Sequence, residues 1–255
     1  MHRNQGPRDM IDISTTAVSR RAFLTFVAAA GPGMLLPIHS AGATWRRRAL
    51  RIGIIGSGQM GGGLGRLWAR AGHEIFFSSR NPGDLAELIA SVGPLARAGL
   101  PAEAAAFGDI VLIAVPYGAL PDVGRDHGSA LAGKVVVDCG NPREDRDGPM
   151  ANDAIERGTG IASAGYLPGA RVVRAFNAIS AVMLETDAHR PDPRIGVPIA
   201  GDDAAAVELV SGLVVDAGFD PVVVGGLSTA RTFDRGTPVY VRGMTAAQLR
   251  EALGI

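Results

Sequence analysis

Beyond the first 43 residues, apolar and polar positions fall into two alternating periodicities. Leu50 to Ile55, Ile110 to Val115 and Val135 to Asp138 are short, nearly continuous apolar runs, as expected of parallel strands buried on both faces. Glu74 to Ser78, Val172 to Ala175, Val197 to Ala200 and Phe219 to Val224 read as further strands. Between them Leu64, Leu67, Trp68 and Ala71 recur at helical spacing and stop at Gly72. Asp84 to Ser91 and the amphipathic Asp203 to Ala217 predict two more helices, and Tyr117 to His127 a helical or irregular crossover. Thr245 to Leu253 predicts a short capping helix with Arg250 and Glu251 on its exposed face. Repeated βα units of this kind predict the α/β class: a doubly wound Rossmann fold with a mostly parallel sheet and helices on both faces. The segment from Arg231 to Arg242 has few helix or strand signals and is expected to pack over a binding cleft or lie at an interface.

The first strand and first helix are joined by Gly56-Ser57-Gly58-Gln59-Met60-Gly61, a GxGxxG motif in the strand-turn-helix context that dinucleotide binding requires. Gly56 permits the tight turn, Gly58 lets the backbone approach a pyrophosphate, and Gly61 allows the helix to pack closely on the strand. The helix N-terminus offers N–H groups and a positive dipole end to the anion. Which dinucleotide is set at the end of the second strand, roughly 20 residues after the motif, where an acidic residue would mark NAD. Ser78-Ser79-Arg80-Asn81 stands there instead. Hydroxyls and a guanidinium suit the 2′-phosphate of NADP, because arginine makes charge-assisted bonds to phosphate oxygens.

Composition narrows the chemistry further. Lys+Arg and Asp+Glu both number 25, and Arg3, Arg8, Arg20 and Arg21 against Asp9 and Asp12 fall within residues 1–43. The remainder is slightly acidic, which argues against a nucleic-acid surface. Cys139 is the only cysteine, so intramolecular disulfides and CxxC motifs are excluded, and redox work needs a bound cofactor. Beyond residue 43 the histidines are His73, His127 and His189, without metal-ligand spacing. No metal site is expected.

Ser19-Arg20-Arg21-Ala22-Phe23-Leu24, an apolar stretch from Phe23 to Ile38, and Ala41-Gly42-Ala43 read as a twin-arginine export signal with an A-x-A cleavage site. Residues 1–43 are therefore expected to be a signal peptide, and 44–255 a single NADP-binding Rossmann-like oxidoreductase domain. The apolar stretch is short for a transmembrane helix and is broken by Gly31, Pro32 and Gly33. Export to the periplasm is the expectation, with a cytoplasmic location if the leader is not functional.

The motifs resemble the deazaflavin-dependent NADP oxidoreductases, which exchange hydride between NADP and coenzyme F-420, and are similar to the reductase domain of the STEAP metalloreductases. The resemblance rests on the segments 52–61, Ser78-Ser79-Arg80-Asn81-Pro82, Ala114-Val115-Pro116-Tyr117, Asp138-Cys139-Gly140-Asn141-Pro142, Val173-Arg174-Ala175-Phe176-Asn177 and Gly225-Gly226-Leu227-Ser228-Thr229-Ala230-Arg231. It covers most of the chain after the leader. The resemblance implies that Ser57, Gly58, Gln59 and Met60 cradle the pyrophosphate and that Ser79 and Arg80 hold the 2′-phosphate. It further implies that Ala114, Val115, Pro116, Asn141, Pro142, Ala175 and Asn177 line the nicotinamide half. Asn177 could bond the carboxamide or cap a turn. These positions follow predicted strand ends, where ligands of open α/β sheets bind. A homodimer is also implied.

An NADP-dependent oxidoreductase passing hydride to or from a deazaflavin, a flavin or a metal chelate is thus the leading functional expectation. Hydride transfer needs orientation in a dry pocket more than a general acid or base, and neither spacing nor resemblance identifies a catalytic residue. Asp138 and His127 are read as structural. A β-hydroxyacid dehydrogenase would need a catalytic lysine beyond the Rossmann domain, whereas the one lysine here is Lys134. The alternative is a non-catalytic NADP-binding module, acting as a redox sensor or as the partner of a membrane electron carrier. The leader makes a separate prediction. Fractionation should find the wild type exported and an Arg20→Lys, Arg21→Lys pair retained in the cytoplasm. Retention of both forms would overturn the leader.

Overall fold

The computed structural model describes Met1 and residues 48–255, and the leader lies outside them. The strands are β1 (Arg51–Ile55), β2 (Glu74–Ser78), β3 (Ala96–Gly99), β4 (Ile110–Ile113), β5 (Val135–Asp138), β6 (Arg171–Arg174), β7 (Gly196–Gly201) and β8 (Asp220–Gly225). They form one sheet in the order β3-β2-β1-β4-β5-β6-β7-β8. The first six run parallel in the Rossmann order, while β7 pairs antiparallel with β6 and parallel with β8. The expected doubly wound, mostly parallel sheet is what the chain forms. In β4 and β5 every residue is buried, which is why both read as unbroken apolar runs.

The helices are α1 (Gln59–Arg70), α2 (Ala86–Val92), α3 (Pro101–Phe107), α4 (Leu120–Leu131), α5 (Glu144–Asp147), α6 (Pro149–Arg157), α7 (Thr159–Tyr166), α8 (Ala181–Thr186), α9 (Ala204–Asp216) and α10 (Ala246–Leu253). One face of the sheet packs Leu64, Leu67 and Trp68 of α1, Leu184 of α8, and Val210, Leu213 and Val214 of α9. The other packs Ala105 of α3, Leu120, Val123 and Leu131 of α4, Ala154 of α6 and Ala162 of α7. Six elements were not expected, β3, α3, α5, α6, α7 and α8, and the first two carry no strong apolar period. Strand β3 has only Gly99 buried, and α3 is an alanine-rich helix led by Pro101. The expected helix from Asp84 begins instead as a 3-10 turn over Pro82–Leu85, because Pro82 opens it, and becomes α-helical at Ala86.

Among the described residues three helices have side-chain N-caps, Ser180 at α8 and, at the two starts expected from sequence, Asp203 and Thr245. Asp203 accepts from the Ala206 N–H at 2.8 Å. Thr245 and Gln248 form a capping box at the start of α10. The long-range frame includes the fully buried Trp68, whose indole Nε1 donates to the Leu213 carbonyl at 2.9 Å, tying α1 to α9. His73, in the turn after α1, ties the approach to β1 to the end of α9. Its Nδ1 accepts from the Leu50 N–H at 3.1 Å, so its Nε2 carries the proton facing Asp216 at 3.1 Å. Among the described residues no helix is long and apolar enough to cross a membrane.

Asp203 offers a test of the frame. The Arg171 guanidinium, donating at 2.6 Å, and the Ala206 N–H hold its carboxylate down at about 2. A depressed folded value means that its contribution is fully present above the ordinary carboxylate range and is lost as pH falls toward about 2. Asp203→Asn should therefore lower Tm at neutral pH and flatten the loss of Tm on the acid side, read by thermal melts across that range.

Candidate functional site

The parallel strands β1, β4 and β5 end at one edge of the sheet, and the loops after them form a cleft there. Gly56 holds φ at +94°, and a side chain would bring its Cβ to 2.7 Å from the Ala114 carbonyl oxygen. Gly61 lies under the turn, where a Cβ would collide with the Gly56 carbonyl oxygen. Above them Gly58 is exposed, and a Cβ there would meet nothing within 4 Å. This is the open face that a phosphate group can approach. Gly58 caps α1 without a side-chain bond, and the first turn holds no acidic residue. The first-turn N–H groups therefore lack intrahelical acceptors and present a positive dipole end to the cleft.

The end of β2 is locked to this turn. Ser57 Oγ donates to the Ser78 carbonyl at 3.1 Å and accepts from the Ser78 N–H at 2.9 Å, while Ser78 Oγ donates to the Ile54 carbonyl at 2.7 Å. The Ser57 hydroxyl proton is thus used within the fold, and its backbone N–H is what it has for an anion. Ser79 differs. Its Oγ accepts from the Asn81 N–H at 3.1 Å, which leaves its proton available, and Arg80 is exposed without an ion pair among the described residues.

A cavity of about 800 Å³ brings together Gly56, Ser57, Gly58, Ser79, Arg80, Ala114, Val115 and Pro116. A neighbouring cavity of about 720 Å³ takes in Gly58, Gln59, Met60, Ala114, Val115, Pro116 and Asn141. Pro142 is buried and borders a third. Ala175 and Asn177, expected in the nicotinamide half, are not among the residues lining these cavities. Both are buried, because they follow a strand flanked by β5 and β7, and they stand behind the cleft wall. Asn177 is in contact with Asn141, whose Nδ2 donates to the Asn177 carbonyl at 2.8 Å.

Behind the same wall lies a polar cluster. Arg174, at the end of β6, is fully buried, and its Nη1 donates to Asp138 Oδ2 and to the Gly140 carbonyl, both at 2.7 Å. Its Nη2 donates to Asp234 Oδ1 at 3.1 Å. Ser163 Oγ donates to Asp138 at 2.6 Å, and Thr159 Oγ1 to Asp234 at 2.5 Å. Burial opposes the Arg174 charge, but the two carboxylates more than offset it and hold the guanidinium above its ordinary pKa. Burial, with Asp138 adding to it, pushes the Tyr117 phenol up as well. Phe176 follows in the left-handed region at φ 63°, a strained conformation for a bulky residue, which persists where packing leaves no alternative.

The second cavity also contains Cys139, Arg143, Arg146, Arg235 and Tyr240, which were not among the expected site residues. Arg143 and Arg146 follow the strand-end motif directly and could have been found by extending it. Arg235 and Tyr240 lie in the 231–242 segment expected over a cleft or at an interface, but with no period in that segment nothing singled these two residues out. A charged Arg174 inside the apolar run 172–175 was a legible sign of a buried partner.

Residues 51–142 match the family described as "NADP oxidoreductase coenzyme F420-dependent". The chain is 32% identical over 197 residues to Metalloreductase STEAP3 of Rattus norvegicus, covering 72% of this chain and 36% of that protein. It thus spans about a third of that relative's length. It is 29% identical to the F420-dependent NADP reductase of Methanothermobacter marburgensis, covering 80% of this chain and 96% of that one. A solved structure from Arthrobacter sp. FB24, provisionally titled an F420-dependent NADP-reductase, superposes with a TM-score of 0.65 at 26% identity, covering 81% of this chain and 96% of that one.

Cys139 provides a check on the cleft wall. Burial, then the neighbouring Asp138, pushes its thiol up to about 12. The thiolate fraction at neutral pH should be lower than that of an ordinary cysteine by a factor on the order of a thousand. Iodoacetamide near neutral pH should leave the folded protein unlabelled by mass spectrometry. Prompt labelling would mean that the wall is open.

Proposed function

We propose, from the match of residues 51–142 to the coenzyme-F420-dependent NADP oxidoreductase family, that this protein binds NADP(H) and exchanges hydride between its nicotinamide and a deazaflavin or flavin. The observation that carries the reading is the pairing of an uncapped α1 N-terminus with Ser79 and Arg80 at the end of β2. The first suits a pyrophosphate and the second a 2′-phosphate.

The bound nicotinamide supplies the hydride, a proton with two electrons. The chain's own part is to orient and to exclude water. Gly58 and the α1 N–H groups would hold the pyrophosphate, Ser79 and Arg80 the 2′-phosphate, and Ala114, Val115, Pro116 and Asn141 the nicotinamide end. A ferric chelate takes up one electron per iron, so a flavin or deazaflavin that accepts both fits the immediate acceptor better. In this reading a metal chelate is reduced downstream only through a flavin, which can release its two electrons singly to two ferric ions. The leader makes periplasmic export part of the proposal, with a membrane electron carrier as the partner that would regenerate the exported cofactor. A homodimer completes it.

The test is nucleotide preference. Arg80→Ala should weaken NADPH binding by roughly 10- to 100-fold, the worth of one or two charge-assisted bonds, and leave NADH binding unchanged. Nicotinamide fluorescence titration reads both. The wild type should then lose NADPH absorbance on addition of deazaflavin or FMN. Equal affinity of the wild type for NADH and NADPH would refute the 2′-phosphate site.

A further inference from the structure

The nicotinamide half of the cleft is walled by two segments with little regular structure. One is the loop after β5, which carries Asn141. The other runs from Phe233 to Tyr240 and brings Arg235 and Tyr240 to the same cavity. Neither belongs to the sheet. What joins them is Arg174, whose two terminal nitrogens divide between them. Nη1 holds Asp138 and the Gly140 carbonyl at the root of the first segment, and Nη2 holds Asp234 at the root of the second. Asp234 is further held by Thr159 Oγ1 and by Asn177 Nδ2, the latter at 3.3 Å, while the Asn177 carbonyl receives Asn141.

A buried ion cluster of this kind is weak evidence for stability, since desolvating three charges costs about as much as their attraction returns. A geometric role accounts for it better. We propose that Arg174 is a positioning residue for the nicotinamide half of the site, acting through Asp138 and Asp234 to fix the distance between Asn141 and the Arg235–Tyr240 segment. The two ends are unequal. Asp138 is 1% exposed and also bound by Ser163, whereas Asp234 is 13% exposed, at the edge facing solvent. Asp234 is therefore the end at which the link can be altered with the least disturbance to the core.

The inference rests on the NADP reading, so the experiment separates the two. Wild type, Asp234→Asn and Arg174→Lys are titrated with NADPH and with adenosine 2′,5′-bisphosphate, which occupies only the adenosine half. Asp234→Asn keeps the shape of the side chain at a partly exposed position and so preserves the fold. It should weaken NADPH about tenfold and leave the bisphosphate unchanged. Arg174→Lys, with one ammonium where two nitrogens were needed, should do the same. Combining the two should cost no more than either alone, because both break one link. Equal weakening of both ligands, or no change in either, overturns the positioning role. Failure of the wild type to bind either ligand overturns the NADP reading and the inference with it.

Discussion

The approach of α1 to the turn after β1 is the contact on which the rest of the site depends. Gly61 sits where any Cβ would strike the Gly56 carbonyl, and Gly56 itself occupies a backbone region that side chains rarely adopt. Those two absences of a side chain let the helix start directly at the sheet edge. The helix can then aim its unpaired N–H groups into the cleft, and the Ser57–Ser78 exchange of hydrogen bonds brings the end of β2 beside it. Both proposed phosphate contacts follow from one close approach of helix to strand.

The other half of the cleft is built on a different principle. Strands β4, β5 and β6 deliver their ends to the same edge, but the loops beyond them have no ladder to hold them. A guanidinium shared between two carboxylates takes the place of the ladder, and hydroxyls from α7 complete the carboxylates' partners. Hydrophobic packing could supply comparable stability there. It could not prescribe a separation, because apolar contact has no direction. For a hydride to pass, the nicotinamide must lie at a set distance from its acceptor, and a directional network suits that requirement.

The two halves were not equally legible. The glycine turn, Ser79, Arg80 and the loop after β4 lie within a few residues of strand ends, so periodicity together with local motifs located them. Ala175 and Asn177 were read as lining residues by the same logic, but their strand lies between β5 and β7 and its end is roofed by the segment around Asp234. Strand β3 and α3 escaped because one is a mostly exposed edge and the other is nearly all alanine, so neither carries a hydrophobic period.

What the chain's residues determined by themselves is local: parallel strands from their unbroken apolar runs, helix starts from Asp203 and Thr245, a phosphate turn from its glycines, and a preference for NADP from the lack of an acid after β2. These depend on backbone sterics and on neighbours within one or two turns. The pairing of Arg174 with Asp138 and Asp234, across 36 and 60 residues, was settled only by tertiary structure. So was the arrival of Arg235 and Tyr240 in the cleft. A buried charge announces that it needs a partner, but which partner it finds depends on where the sheet order places distant loops.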